Sequence, residues 1–118
     1  MENQKELFEK LKESSTLSDV QNYINQVLKL RGFSNQTVQD KLLLLTEEVG
    51  ELTKAVRKSS PGASVDQDRI CNYDSIESEI ADVFIVLTSV ANILNIDIFK
   101  CLKEKEKINT NRVWKIND

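Results

Sequence analysis

Apolar residues return every three or four positions through most of the chain, a period that predicts helices. Leu17, Val20, Ile24, Val27 and Leu28 mark one of them. Thr16 and Asp19 stand at its start as a capping box, Lys29 and Arg31 lie in its last turn, and Gly32 suits its C-terminal cap. A second helix, opened by Ser34 or Asn35 and running to about Lys58, carries Leu42, Leu45, Val49, Leu52 and Val56 at spacings of 3, 4, 3 and 4. Ser59 to Ser64 has clear loop composition, and 59–73 reads as one long mobile connection. Asp74-Ser75-Ile76-Glu77 forms another capping box, and a third helix runs from there to about Leu94. Asn95-Ile96-Asp97 breaks it, and Asp97 caps a fourth helix to about Asn111. Ahead of all these, residues 3–13 can form two or three turns, stopped by Ser14-Ser15. The expected fold class is all-α.

The third helix is apolar nearly all round. Ile76, Ile80, Phe84, Leu87, Ala91 and Leu94 fill one face, while Ile85, Val86 and Ile93 fall on other sides. Such a helix has to be buried nearly all round. A chain with three or four helices has difficulty covering it, so a second copy of the chain is expected to do so. The expected architecture is a four-helix bundle core completed by dimerisation, with a short extra helix at the N-terminus.

Composition narrows the chemistry. The 118 residues suggest one domain over 1–118. Three Gly and one Pro are too few for the turns of an all-β fold. There is no His, which removes Ser-His-Asp triads, Cys-His dyads and His-rich zinc sites. Cys71 and Cys101, the only cysteines, do not make a disulfide framework, and a reduced cytoplasmic protein is the simpler expectation. The first 13 residues mix Glu and Lys and do not read as a signal peptide. The longest uncharged run, Val83 to Ile96, has 14 residues, short of the roughly 20 that cross a membrane. A net charge of −3 argues against a nucleic-acid partner. Neither a nucleic acid nor a membrane is expected as a partner.

The acidic residues are placed unusually. Glu47-Glu48-x-x-Glu51 lies on the second helix and Glu79-x-x-Asp82 on the third. Residues three or four apart share a helix face, and these flank the apolar stripes instead of sitting opposite them. If the two helices pack side by side, Glu48, Glu51, Glu79 and Asp82 converge. Their mutual repulsion raises carboxyl pKa values, and a hard divalent cation relieves it. All-oxygen ligands with no His or thiolate suit Mg²⁺ or Mn²⁺. Most acidic helix faces are merely solvated, but here only Glu47 and Glu51 have a basic neighbour, Lys54, that would explain them as ion pairs.

Thr46-Glu47-Glu48-Val49-Gly50-Glu51-Leu52, followed by Glu79-Ile80-Ala81-Asp82-Val83 with 27 residues between Glu51 and Glu79, resembles the MazG family of all-α nucleoside triphosphate pyrophosphohydrolases. The resemblance runs from about Leu17 to Trp114. It takes in Arg31-Gly32-Phe33, Asn95-Ile96-Asp97 and Lys105-x-x-x-Asn109-x-x-Arg112-x-Trp114, and leaves residues 1–15 outside. Asn95 departs from it, since a Gly is common there. The resemblance implies Mg²⁺-dependent hydrolysis of (deoxy)nucleoside triphosphates to the monophosphate and pyrophosphate, a nucleotide-pool house-cleaning activity, with Mn²⁺ a possible substitute. It implies Glu48, Glu51, Glu79 and Asp82 as metal ligands. Glu47, with Glu48, would orient or deprotonate the attacking water. It also implies a homodimer or homotetramer.

Lys105, Asn109 and Arg112 share a helical face and form a plausible phosphate clamp. Phe33 stands where related enzymes carry an aromatic against the base, with Trp114 the other candidate. Gln36 and Gln39 could read base edges but are not assigned to the site. Within the family a phosphoribosyl-ATP or dUTP pyrophosphatase is the alternative. Outside it, the alternative is a non-enzymatic helical dimer acting as a regulator or adaptor.

Overall fold

A computed structural model describes residues 2–65 and 75–118, and among them there are five helices and no strand. These are α1 (Gln4–Glu9), α2 (Leu17–Leu30), α3 (Val38–Ser59), α4 (Ile76–Ile93) and α5 (Ile98–Asn109). From residue 66 on, the expected connection over 59–73 lies outside the described residues, as do Cys71 and Asp74, which opens the expected capping box before the third helix.

Local chemistry sets the helix ends. Thr16 caps α2 with a full capping box to Asp19, as its sequence requires. The start of α3 differs from expectation. Thr37, not Ser34 or Asn35, is the N-cap, because Asp40 three residues on completes a second capping box that neither earlier residue can form. Ser75 caps α4 by accepting from the Ser78 amide, and Asp97 caps α5 by accepting from the Lys100 amide. α1 is only six residues long, and its cap is Asn3.

Two helices end in the same left-handed way. At the end of α2 the Phe33 amide donates to the Leu28 carbonyl and the Gly32 amide to that of Lys29, with Gly32 at φ +86°. At the end of α4 the Ile96 amide donates to Ala91 and the Asn95 amide to Asn92, with Asn95 at φ +55°. Both are Schellman motifs. Asn is the one residue besides Gly that tolerates this backbone well, so the departure from the family pattern at Asn95 leaves the turn intact.

α3 and α4 form the principal contact within the chain, α2 packs against α4, and α1 and α5 rest on α2. One buried side chain ties the α4–α5 corner to α2. Gln21 donates to the Asn92 side chain (3.1 Å) and the Ile96 carbonyl (2.9 Å) and accepts from the Ile98 amide (2.8 Å). Asn92 in turn donates to the Gln21 carbonyl at 3.1 Å. These bonds satisfy the Gln21 amide, which is what allows it to be buried.

The inner face of α4 is not the one its periodicity suggests. Glu79, Val86, Ser89 and Val90 turn inward and are buried, whereas Ile80, Phe84, Leu87 and Leu94 of the expected bundle face are 39–53% exposed. On α3, Lys41 and Ala55 are buried, while Leu42, Val49 and Val56, seven residues apart, are 45–47% exposed. The seam between α3 and α4 is thus the more polar face of both helices, and their most apolar stripes point away from it.

No single helix among the described residues is long and apolar enough to cross a membrane.

Candidate functional site

The polar seam has a defined register. α3 and α4 run in opposite senses, so that Glu48 meets Glu79 and Asp82, and seven residues further along each helix Lys41 reaches the level of Ser89. A seven-residue step is two turns, returns to the same helix face and covers about 10 Å. The two levels are therefore successive stations on one groove.

At the first level, one carboxylate oxygen from each of Glu48, Glu79 and Asp82 lies within 4.8 Å of the others. Glu79 is 5% exposed, and the other two are half-buried. Burial pushes the Glu48 carboxyl above its ordinary range, and the charges of Asp82, Glu79, Glu47 and Glu51 push it further. A site that raises the pKa of its own carboxylate is one that a cation stabilises. Three hard oxygens at this spacing, with room for water on the exposed side, are a donor set that Mg²⁺ or Mn²⁺ accepts.

Glu51 and Glu47 are exposed on α3 and lie outside this three-carboxylate group, although both charges are felt at Glu48. Lys105 is exposed on α5. Asn109 donates to Glu106 at 3.3 Å, and its side-chain oxygen is buried without a partner. Arg112 places its guanidinium 4.9 Å from the Trp114 ring centroid, and the Trp114 indole donates to the Asn109 carbonyl at 3.4 Å. Asn109 and Arg112 are thus linked through Trp114 at the end of α5, the helix that also carries Lys105. That helix packs on α2 and leaves α4 at 97° from the end opposite the carboxylates.

At the second level the groove opens into a hollow of about 110 Å³, whose lining includes Phe33, Gln36, Lys41, Ser89, Asn92 and Ile93. The Schellman turn after α2 delivers Phe33 to its rim. Lys41 is 4% exposed, and its ammonium stands 5.0 Å from the Phe33 ring centroid. Burial holds the Lys41 pKa below the ordinary lysine range, with Asp40 opposing the shift.

Sequence reasoning overlooked Lys41, Ser89 and Asn92. A usable signal exists: Lys41, Glu48 and Ala55 are spaced by seven, as are Asp82 and Ser89, so each polar residue repeats the register of a carboxylate.

The family model that describes the MazG nucleotide pyrophosphohydrolase domain matches residues 36–113. The match covers α3, α4 and α5 and the carboxylate cluster. It starts later than the resemblance read from Leu17, leaving α2 and Phe33 outside it. No curated protein matches the chain.

Proposed function

The chain belongs to the MazG nucleotide pyrophosphohydrolase family, and on that premise we propose that it hydrolyses nucleoside triphosphates between the α- and β-phosphates in a Mg²⁺-dependent reaction. The observation that carries this reading is the gathering of Glu48, Glu79 and Asp82 within 4.8 Å where the two acidic motifs meet. We assign these three as metal ligands. Glu51, one turn beyond Glu48 on α3, would be the fourth, as the family spacing implies. Bound there, Mg²⁺ supplies Lewis-acid chemistry: it offsets the charge of the triphosphate and makes water a better nucleophile at neutral pH.

The chain's own groups do the rest. Glu47 and Glu48 are assigned to orient the attacking water and take its proton. No protein nucleophile is needed, in keeping with a chain that has no His. Lys105, Asn109 and Arg112 are assigned to the phosphates on family spacing, and Phe33 to the base on its place at the rim of the groove.

The same reading includes a homodimer. The protomer exposes 9442 Å², against about 6,500 Å² for a folded monomer of its mass. Its radius of gyration is 17.8 Å, against roughly 13–14 Å for a compact chain of this length. The outward stripes of α3 (Leu42, Val49, Val56) and α4 (Ile80, Phe84, Leu87) supply the apolar surface that a second α3–α4 pair would cover to complete a four-helix core.

The test is product analysis by phosphorus NMR with Mg²⁺ and a panel of nucleoside triphosphates. Equimolar monophosphate and pyrophosphate is the expected outcome. Diphosphate and orthophosphate would place the cut elsewhere, and no turnover of any nucleotide would favour the adaptor.

A further inference from the structure

The N-terminal segment lies ahead of the family match, which begins at residue 36, yet it is built into the fold. Leu7 and Leu11 are its half-buried apolar positions, and both lie against α2. Leu11 shares a hollow with Asp19, in the first turn of α2, and Glu2 shares another with Lys29, in the last turn. Leu7 and Gln26 line both hollows. The segment therefore runs antiparallel to α2 from one end of that helix to the other, as a strap.

The strap ends at the turn that carries Phe33. Arg31, the C-cap of α2, donates from Nε to the Gln4 side-chain oxygen at 3.1 Å, across 27 residues of chain. Gly32 and Phe33 follow it in the left-handed turn, their amides donating to the carbonyls of Lys29 and Leu28. On its other side the turn meets α3. The Phe33 ring lies 5.0 Å from the Lys41 ammonium, and the Gln36 amide donates to the Phe33 carbonyl at 3.4 Å. Lys29 belongs to both surroundings, lining the hollow against Glu2 and the second level of the groove. The turn is thus held between the strap and α3. A half-exposed ring such as Phe33 keeps its place only as well as the backbone beneath it does, and Gly32 gives that backbone its greatest freedom.

We propose that Gln4 is a positioning residue: through Arg31 it steadies the Gly32 turn and so sets Phe33 to receive the nucleobase. This rests on the assignment of Phe33 to the base and names what orients it. Gln4 itself touches no substrate. A turn already held in place needs less ordering when the ligand arrives, so the strap raises affinity for the part of the substrate that meets Phe33. It leaves the phosphate chemistry at the carboxylates alone. One exposed hydrogen bond from a guanidinium is modest, and the expected effect is severalfold.

The experiment compares full-length Gln4→Leu, Gln4→Glu and Leu7→Asn with wild type by hydrogen exchange and by kinetics. In Gln4→Leu the Gly32 and Phe33 amides should exchange about three- to tenfold faster, while Ile24 and Val27, buried in the middle of α2, keep their protection. KM for the nucleoside triphosphate turned over best should rise about threefold with kcat unchanged. The inhibition constant of inorganic triphosphate, which has no base, should not move. Gln4→Glu, whose carboxylate still accepts from Arg31, should match wild type throughout. Leu7→Asn, which loosens the strap, should match or exceed Gln4→Leu. Faster exchange in a chain that cleaves no triphosphate would sink the nucleotide reading and leave the tether standing. Unchanged exchange at Gly32 and Phe33, or protection lost evenly along α2, would overturn the proposal. So would faster exchange with an unchanged KM, inorganic triphosphate weakened as much as the nucleotide, or Gln4→Glu behaving like Gln4→Leu.

Discussion

Glu48 is pressed by the fold from several sides. Its carboxyl is raised by burial and by the charges of Asp82, Glu79, Glu47 and Glu51. Without metal, the folded chain therefore holds this proton more tightly than the unfolded chain does. Stability is then greatest at mildly acidic pH and falls as pH rises from the ordinary carboxylate range through the raised Glu48 value. Melting curves in EDTA between pH 5 and 7.5 should show that decline, and Glu48→Gln should flatten it and melt at or above wild type at pH 7.5. A flat wild-type profile would mean that these carboxylates do not press on one another. Mg²⁺ should reverse the penalty, adding about 2.7 kcal/mol at a hundredfold excess over Kd, and Asp82→Asn should blunt that gain. The carboxylates were legible in sequence because their spacing is conspicuous and their chemistry narrow. Lys41 was not, because a lone polar residue next to an apolar stripe reads as surface until the opposing helix is in place. Whether Glu51 joins the cluster turns on a side-chain rotation that spacing does not describe.

At the level of elements, caps and periodicity predicted four of the helices closely. Where the start of α3 was misread, two plausible caps preceded the residue that actually completes a capping box. The more instructive error concerns α4. Periodicity identifies its richest apolar stripe and says nothing of which partner that stripe meets. The polar face carrying Glu79, Asp82 and Ser89 is the one that packs within the protomer. That face is held in place partly by Gln21, whose amide serves Asn92, the Ile96 carbonyl and the Ile98 amide together. Gln21→Leu keeps the volume and strands those groups. It should cost about 2–4 kcal/mol in urea denaturation with an unchanged slope. A cost below about 1 kcal/mol would show that water replaces the network and that the α4–α5 corner is looser than its hydrogen bonds imply.

For the whole molecule, the outward stripes make assembly part of the account. Light scattering should return at least twice the 13.5 kDa of one chain, and a particle of chain mass at micromolar concentration would contradict the dimer. Leu87→Lys, at a position 50% exposed in the protomer, should shift the protein toward monomer without unfolding the isolated chain. Val86→Lys is a different experiment, since Val86 is 8% exposed within the protomer and the charge would disrupt folding before assembly. The central claim is that the two acidic motifs, separated by 27 residues in sequence, form one metal-dependent hydrolytic site. Its most direct test is the initial rate of pyrophosphate release from nucleoside triphosphates with saturating Mg²⁺, comparing wild type with Asp82→Asn after both are shown to be folded. Changing even the outer partners of metal ligands costs 10–100-fold, so loss of a ligand should lower the rate by at least about 100-fold. A folded Asp82→Asn protein that releases pyrophosphate at the wild-type rate would contradict the account.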